Sequence, residues 1–525
     1  MNNDQLLIEF KHSLIIINQL KLNPEDMGKS KRINRREFLG SATAASLAFT
    51  VVPRQVLGGP GYVAPSDKLT LGYIGCGTQG LREMVPLLEN PAIQIVAVAD
   101  PNKFTTDYID WSPNGIRDSI RKVLGESTWG ESYKGIPGGR DIGQELIQKY
   151  YAKAKGSGSY KCNSYEDFRE LLEKEKDISA IKIMTPDHLH ATVALASMKK
   201  GKHVVTHKPI ANRMYEARLT IETAKKSGLS THLLAWSKRP GYDVIKKWIS
   251  EGAIGTLKEI HNWSNRPVWP QWQANPTETV PIPKDFNWDL WLGPVPNRPY
   301  HPNYTHNVFR GWYDFGAGSI ADMGHYSLFP MFLTLGITTP AVSAESYATT
   351  TRTVINNVST EVKNDVAFPL SCVVRFKFKA QATLPAFDLI WWDGGIRPVV
   401  PEEWEKAGKE LEREGMMFVG DKGKIIAGFR GEDPVLVANG KLTPSEKEPQ
   451  ERRNGNDVWI DSFKNNTQSP GSFIYAGPVT ETILLGGVSL RSGKKVEYDA
   501  TAMKITNLPD VNKYLTREYR KGWEL

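Results

Sequence analysis

The sequence predicts an α/β fold that begins with a parallel sheet of the Rossmann type, because three observations follow one another along the chain. An apolar strand pattern at Leu69–Ile74 runs directly into the glycine-rich turn Gly75-Cys76-Gly77-Thr78-Gln79-Gly80. A helical apolar pattern covers residues 81–88, and a second strand pattern at Ile93–Ala99 ends in Asp100. Strand, glycine turn, helix and strand in this order form the opening unit of a Rossmann domain.

Length and composition are those of a folded protein with two or three domains. The chain has 525 residues, of which 40% are hydrophobic and 10% aromatic, and this excludes a disordered or fibrous protein. No apolar run reaches the roughly 18 residues of a membrane span, so we expect no span in the mature body. The three cysteines are too scattered for a disulfide framework, and no spacing of histidines and cysteines forms a metal site.

The positive charge of the chain does not indicate nucleic-acid binding. Residues 1–66 hold eight basic and five acidic side chains, which accounts for +3 of the net charge of +8. The remaining excess is spread over a long body of mixed charge without a basic stripe.

The N-terminal segment reads as a targeting signal. Residues 34–40 have the sequence Asn-Arg-Arg-Glu-Phe-Leu-Gly and precede a mildly apolar run at 41–52, a pattern typical of twin-arginine export signals. We therefore expect residues 1–66 to be signal and linker, and the protein to be periplasmic. The signal starts late, which makes Met27 a candidate start, and no clear cleavage site follows it. The alternative is a basic pair on a surface helix.

The glycine turn and Asp100 together predict a dinucleotide site. Without side chains, Gly75, Gly77 and Gly80 let a pyrophosphate approach the backbone at the helix start formed by Thr78 and Gln79. Asp100 would accept hydrogen bonds from a ribose and repel a 2′-phosphate, so NAD is favoured and NADP stays possible. The alternative is an ordinary strand–turn–helix without a ligand.

The stretch 101–164 is longer than a βαβ crossover requires. It contains helix-like pieces at 116–124 and 142–154, and we interpret it as an inserted lid or an oligomer contact. A helix is then predicted at 164–173 with Ser164 as its N-cap, a strand at 180–184, a helix at 191–200 and a strand at His203–Thr206. Later strand patterns lie at Cys372–Phe378 and 424–429.

Two polar motifs follow the predicted strands of the first domain. One contains Thr185, Pro186, His188 and His190, and the other is His207-Lys208-Pro209. In an open parallel sheet, ligands bind outside the carboxyl ends of the strands, so both motifs should converge on the glycine turn.

With these motifs the sequence resembles the Gfo/Idh/MocA oxidoreductase family, from about residue 67 to the C-terminus. The resemblance implies a Rossmann domain at 67–235, with the insertion at about 101–164, and an α+β domain at 236–525 with a large, open, mostly antiparallel sheet. It also implies a homo-oligomer that acts on a hydroxyl of a sugar, a polyol or a related compound.

The resemblance assigns roles to individual residues. Lys208 matches a lysine that lies beside the nicotinamide and the reacting hydroxyl, where it stabilises an alkoxide and relays its proton. His207 stands where the family usually has glutamate, so the charge beside Lys208 differs. Thr185 and Pro186 match the loop that packs against the cofactor. His188 and His190 contact cofactor or substrate, or else serve as cap or core residues.

In the second domain, residues 316–326 resemble the family segment that carries aspartate and histidine four positions apart. Here Asp322 is followed by His325 at three and by Tyr326 at four positions. Either His325 or Tyr326 can carry the hydroxyl proton, since both spacings keep one helix face, and packing roles remain the alternative.

Aromatic residues are concentrated between residues 263 and 312, where six of the 15 tryptophans lie. Aromatic faces stack on pyranose rings, and Trp269, Trp291 and Trp312, with His190, are our candidates for contacting the substrate. The alternative is a loop whose aromatic side chains pack on the domain.

The leading hypothesis is therefore an NAD(P)-dependent oxidoreductase that acts on a hydroxyl of a saccharide or glycoside. An exported enzyme has no free NAD pool, so the cofactor would be tightly bound and recycled within the site. One alternative is a glycoside-cleaving enzyme that forms a keto-sugar transiently. The other is a non-catalytic protein that binds a sugar and a nucleotide.

Overall fold

The computed structural model describes residues 67–525 except 157, 382 and 447–454. The predicted twin-arginine segment at 34–40 therefore lies outside the described residues. The described residues belong to one compact unit.

The first domain is built on a six-stranded sheet in which every pairing is parallel. The strand order is β3-β2-β1-β4-β5-β6, the arrangement of a Rossmann fold. Its strands are β1 (Leu69–Ile74), β2 (Ile93–Ala99), β3 (Asn163–Tyr165), β4 (Ala180–Ile183), β5 (His203–Thr206) and β6 (Thr231–Leu233). Its helices are α1 (Thr78–Leu88), α2 (Gly115–Leu124), α3 (Arg140–Lys155), α4 (Phe168–Lys174), α5 (His190–Lys199) and α6 (Met214–Ser227).

The predicted bounds of β1, β2 and β5 are confirmed, and one helix start is wrong. We predicted a helix from Ser164, but β3 occupies Asn163–Tyr165 and pairs with β2. The helix α4 starts after Asp167, whose carboxylate accepts a hydrogen bond from Arg169 N at 2.8 Å. A carboxylate is a strong N-cap, and the backbone around Ser164 is engaged in the sheet.

The insertion at 101–164 packs its helices on the first domain and sends one segment over the glycine turn. Ile116 and Ile120 of α2, and Ile142 and Leu146 of α3, lie in the same buried cluster as β1 and α1. Residues 105–111, which we call the strap, run beside residues 136–138 through single bridges and then reach the glycine turn.

The second domain contains a ten-stranded sheet in the order β16-β15-β14-β13-β7-β12-β11-β8-β17-β18. Only the β7–β12 pair is parallel, so the sheet is mostly antiparallel, as the resemblance implied. The strands are β7 (Leu257–Trp263), β8 (Ser343–Ala348), β11 (Cys372–Phe378), β12 (Phe387–Trp392), β13 (Gly415–Gly420), β14 (Gly423–Ala427), β15 (Val435–Ala438), β16 (Lys441–Pro444), β17 (Val496–Asp499) and β18 (Lys504–Ile505). A separate hairpin consists of β9 (Thr351–Ile355) and β10 (Val358–Val362).

The helices of the second domain cover the sheet and carry its site residues. They are α7 (Pro240–Ser250), α8 (Trp288–Leu292), α9 (His325–Leu335), α10 (Glu402–Lys406), α11 (Gly455–Lys464) and α12 (Phe473–Ser492). A π-helical turn at Ile320–Gly324 precedes α9. Among the described residues only α12 is long and apolar enough to cross a membrane, and 78% of its apolar window is buried in the fold.

The two domains are interlocked by the C-terminal part of the chain. Sequence order assigns α11 to the second domain, yet its residues Trp459, Ile460 and Phe463 lie in the buried core formed by β1, β2 and α1. Trp459 is fully buried there. The boundary predicted at 235/236 therefore separates the two sheets, but the buried core of the first domain includes residues from beyond this boundary.

Candidate active site

The glycine turn forms a bare cradle at the start of α1. Gly75 has φ +98°, and a Cβ at this position would lie 2.6 Å from the backbone of Met184, so β1 and β4 approach each other too closely for a side chain. Helix α1 begins after Gly77 with no side-chain cap, which leaves its first N–H groups available for an anion. The cradle predicted from Gly75 to Gly80 is present in the structure.

Asp100 is buried beside this turn. Its Oδ2 accepts a hydrogen bond from Cys76 N at 2.6 Å and its Oδ1 accepts one from Asn102 N at 2.8 Å. Each carboxylate oxygen keeps a second lone pair for a ribose hydroxyl. Burial raises the pKa of Asp100 to about 6, against the lowering effect of the two backbone hydrogen bonds.

The strap lies directly over the glycine turn. A Cβ on Gly77 would come within 2.9 Å of the Tyr108 ring, and Thr78 Oγ1 donates a hydrogen bond to Ile109 O at 2.9 Å. The Tyr108 ring also packs against the His306 ring of the second domain, with 4.2 Å between the centroids and a tilt of 52°. The strap therefore bridges both domains across the cradle.

The histidines of the first polar motif stabilise the loops instead of lining the cavity. His190 Nδ1 lies 2.6 Å from Pro209 O, and its Nε2 lies 2.8 Å from Thr185 O, so this ring ties the two strand-end loops together. His188 Nε2 lies 2.8 Å from Trp291 O, and burial lowers the pKa of His188 to about 3. Both rings are fully buried, and neither residue lines the cavity. Their positions therefore do not support the predicted contacts with cofactor or substrate.

Lys208 and Asp322 form a buried ion pair, with Lys208 Nζ 2.5 Å from Asp322 Oδ1. Burial alone would raise the pKa of Asp322, but Lys208 and Arg310 outweigh it and hold this pKa at about 2. Burial lowers the pKa of Lys208, and the Asp322 carboxylate opposes that shift. A lysine whose ammonium is destabilised by burial can release and take up a proton more readily than a solvated one.

Tyr326 lies beside this pair and contacts the residue that departs from the family motif. Its hydroxyl lies 3.0 Å from His207 Nε2. Burial, reinforced by Asp322, raises the pKa of Tyr326 well above its usual value. Burial, and next Lys208, lowers the pKa of His207, so His207 is neutral and its Nε2 can accept a hydrogen bond from the tyrosine hydroxyl.

The structure separates the two candidates that the sequence left open. Tyr326 lines the cavity, whereas His325 points away, with Nδ1 3.0 Å from Ala321 O and Nε2 3.3 Å from Thr480 Oγ1 on α12. Asp322 lies in the π-helical turn, and such a turn is wider than an α-helical one. The residue four positions on therefore shares the face of Asp322 better than the residue three positions on. The role predicted for His325 in the reaction is corrected to a packing role.

The aromatic cluster is mostly a packing core. Trp269 and Trp312 are 5% and 1% exposed, and neither lines the cavity. Trp312 stacks on Trp272 at 4.8 Å, and Trp291 stacks on Trp288 at 4.9 Å. Of the three predicted substrate tryptophans, only Trp291 reaches the cavity wall. The substrate roles predicted for Trp269 and Trp312 are therefore not supported by their positions.

One cavity of about 400 Å³ runs from the glycine turn to Tyr326. It is lined by the predicted Gly75, Gly77, Thr78, Gln79, Gly80, Asp100, Thr185, Pro186, Lys208, Asp322 and Tyr326. Sequence reasoning missed Arg82, Tyr108, Asp110, Trp111, Arg266, His306, Asn307, Arg310 and Arg430, which also line it. Arg82 lies on α1, whereas the others lie in the insertion or on loops and short 3₁₀ turns of the second domain, and the only signal for them was that a long insertion follows Asp100.

The residues of the cavity fit a dinucleotide. The cradle has no side chains at its two closest approaches, the helix start is uncapped, and the Thr185 hydroxyl is buried without a hydrogen-bond partner although it lines the cavity. Among the residues that the structure describes, no group of three or more His, Cys, Asp or Glu side chains is arranged to hold a metal ion.

Two family models match the chain. Residues 144–233 match the NAD-binding Rossmann fold of an oxidoreductase family, and residues 243–354 match the C-terminal alpha/beta domain of the same family. The first match begins inside the insertion and does not include the glycine turn. The assignment of this turn to a dinucleotide therefore depends on the sequence pattern and on the structure described above.

Curated relatives match over parts of their length. A levoglucosan dehydrogenase from Pseudarthrobacter phenanthrenivorans is 34% identical over 115 residues, which is 21% of this chain and 29% of that protein. A glycosyl hydrolase family 109 protein from Shewanella pealeana is 25% identical over 210 residues, 37% of this chain and 38% of that protein. The chain thus spans about a third of the length of these relatives. A solved structure of levoglucosan dehydrogenase with NADH and L-sorbose has 14% identity and a TM-score of 0.46, covering 82% of this chain and 98% of that one.

Proposed function

Both domains of this chain belong to the Gfo/Idh/MocA oxidoreductase family, and from that membership we propose that the protein is an NAD-dependent oxidoreductase acting on a hydroxyl of a saccharide or glycoside. The observation that carries the proposal is the buried pair of Lys208 and Asp322, 2.5 Å apart, in the same cavity as the glycine turn. An ion pair of this kind at the carboxyl end of a Rossmann sheet is suited to moving a hydroxyl proton.

The cofactor would be held by residues of the first domain. The N–H groups at the start of α1 would bind the pyrophosphate, and Asp100 would bind the ribose. Thr185 and Pro186 would contact the rest of the cofactor. When bound, NAD accepts the hydride that leaves the carbon of the substrate. Asp100 favours NAD, because its carboxylate repels a 2′-phosphate.

The chain itself would handle the proton of the substrate hydroxyl. Once deprotonated, Lys208 accepts it, and the positive charge that results is stabilised by Asp322. Tyr326 lies beside this pair, and its hydroxyl, which is hydrogen-bonded to His207 Nε2 at 3.0 Å, would position the substrate hydroxyl. In this chain His207 therefore takes the position of the family's glutamate without adding a negative charge.

The saccharide would bind at the second-domain side of the cavity. Trp111 of the strap lines the cavity and is 62% exposed, so its face is available for stacking on a pyranose ring. Asn307 and Trp291 also line this side and offer polar and apolar contacts.

Retention of the cofactor is supported by the strap. Tyr108 covers Gly77 and packs against His306, so a nucleotide in the cradle is enclosed by both domains. We propose that NAD stays bound between turnovers and is restored within the site by a second, carbonyl-containing substrate.

A glycoside-cleaving reaction is the second candidate. It is favoured by the similarity to the glycosyl hydrolase family 109 protein over 37% of this chain. In that reaction a keto group formed transiently would acidify a neighbouring ring C–H and allow elimination of the glycosidic oxygen. The same Lys208, Asp322 and Tyr326 would serve both reactions.

The decisive experiment incubates the protein, with its bound cofactor, with a panel of glycosides and follows cofactor absorbance and sugar products. We expect a reduced cofactor and a keto-sugar, and cleavage would release the aglycone. Lys208→Ala should retain the cofactor but lose roughly 100-fold in rate, whereas the exposed Lys200→Ala should match the wild type. Full activity of Lys208→Ala would refute the proposed acid–base role. Absence of any reduction would favour a non-catalytic binding protein.

We also propose that the protein is a periplasmic homo-oligomer. Export is supported by the arginine pair at 35–36, and association by the β9–β10 hairpin, on which Val354 and Val358 are 70% and 62% exposed. Val354→Asp with Val358→Asp should reduce the mass measured by light scattering, and an unchanged mass would remove the hairpin from the interface.

A further inference from the structure

Three arginine side chains lie at the substrate end of the cavity, and two of them contact Asp322. Arg310 Nε donates a hydrogen bond to Asp322 Oδ1 at 3.1 Å, and Arg266 Nε lies 3.7 Å from Oδ2. Arg430 stacks over the Tyr326 ring at 4.8 Å. All three line the cavity, although none of them belongs to a motif that the sequence suggested.

The negative charge of this end does not match its positive charge. Asp322 already pairs with Lys208 at 2.5 Å, so a single carboxylate faces one lysine and the three arginines. Another carboxyl group that interacts with Lys208 and Arg310, that of Asp187, is buried outside the cavity lining, and burial raises its pKa. Arg82 at the glycine turn is different, because Asp110 pairs with it.

Two of the arginines have donors left over. Arg266 Nε is buried without a hydrogen-bond partner, and its guanidinium lies 5.4 Å from the Trp111 ring. Arg430 donates its backbone N–H to Glu432 Oε2, but its guanidinium forms no ion pair within the described part of the chain. Arg266 pairs with Asp322 only at 3.7 Å, and Arg430 with no carboxylate among the described residues, so both guanidinium groups in the cavity wall keep donors for an anionic partner.

We infer that the saccharide carries a carboxylate, as a hexuronic acid does, and that Arg266 and Arg430 bind it while the neighbouring hydroxyl faces Lys208 and Tyr326. This inference rests on the proposed function. Guanidinium groups match the planar carboxylate with paired hydrogen bonds. A neutral sugar would leave the excess positive charge unpaired.

The test compares matched sugars that differ only at C6: methyl glucuronide, galacturonide and mannuronide, each with its neutral methyl glycoside. Binding to the protein with its cofactor is measured by calorimetry, and turnover by cofactor reduction. We expect at least one acidic sugar to bind and react about 10- to 100-fold better than its counterpart, the scale of a charge-assisted hydrogen bond. The preference should weaken as the salt concentration rises.

Variants assign the effect to the arginines. Arg430→Gln and Arg266→Gln should each weaken binding of the acidic sugar more than binding of its neutral counterpart, so that most of the preference is lost. Arg352→Gln, which removes the same charge from the exposed β9–β10 hairpin, should leave the preference unchanged. If an acidic sugar binds more tightly than its counterpart but is not turned over, the proposed function fails and the inference stands. If no acidic sugar in the panel binds more tightly than its counterpart, the inference is overturned, whatever the neutral sugars do.

Discussion

At the scale of single residues, the ionisation of Lys208 is set by two neighbours with opposite effects. Burial lowers its pKa most, Asp322 raises it, and Arg310 lowers it. Replacing Asp322 with Asn should lower the Lys208 pKa further, so the rise of kcat/KM with pH should move to lower pH by about one unit. The profile is measured with a sugar from the active panel.

Arg310→Gln is the matched variant, because its expected effect on the Lys208 pKa has the opposite sign. Loss of the arginine charge should raise the Lys208 pKa, so the same rise of kcat/KM should move to higher pH. Shifts in the same direction for both variants would show that the rise does not report Lys208.

The hydrogen bond between Tyr326 and His207 can be measured as a coupling. If this hydrogen bond holds Tyr326 in place for the substrate, Tyr326→Phe and His207→Phe remove the same contact, so the double variant should be no slower than the worse single one. We expect a coupling energy of about 1 kcal/mol or more in kcat. Additive losses would mean that the two side chains act independently despite the 3.0 Å contact.

At the scale of elements, the strap is the part that controls cofactor exchange. Tyr108→Ala removes the ring that covers Gly77 and packs against His306. Loss of bound NADH, followed by its fluorescence during dilution, should become roughly 5-fold faster, because an aromatic contact contributes about 1 kcal/mol. The exposed Tyr347→Ala is the control, and equal dissociation from both variants would remove the strap from this role.

Elements with a regular pattern could be predicted, and irregular ones could not. The β1–α1–β2 unit follows from alternating strands and helices, whereas Lys208 and Asp322 were predicted from the resemblance to the family. The choice of Tyr326 over His325 depends on a π-helical turn, which leaves no periodic trace in the sequence. The aromatic run predicted Trp269 and Trp312 as ligands, because composition alone does not reveal which face of a ring is buried. Arg266 and Arg430 reach the site from loops.

At the scale of the whole molecule, export can be tested independently of chemistry. Changing Arg35 and Arg36 to Lys should leave the folded protein, with its cofactor, in the cytoplasm, because the arginine pair is the recognised feature of such signals. Cell fractions are compared by immunoblotting, with Lys29→Arg and Lys31→Arg as the control that keeps the local charge. Unchanged amounts in the periplasmic fraction would contradict the predicted route.

The return of α11 to the first domain has a consequence for synthesis on the ribosome. Trp459, Ile460 and Phe463 complete the core around β1, but they are translated almost 400 residues after that strand begins. The nascent first domain must therefore wait with part of its apolar core exposed until nearly the whole chain has emerged. The cradle can then receive its nucleotide only after nearly the whole chain has been synthesised.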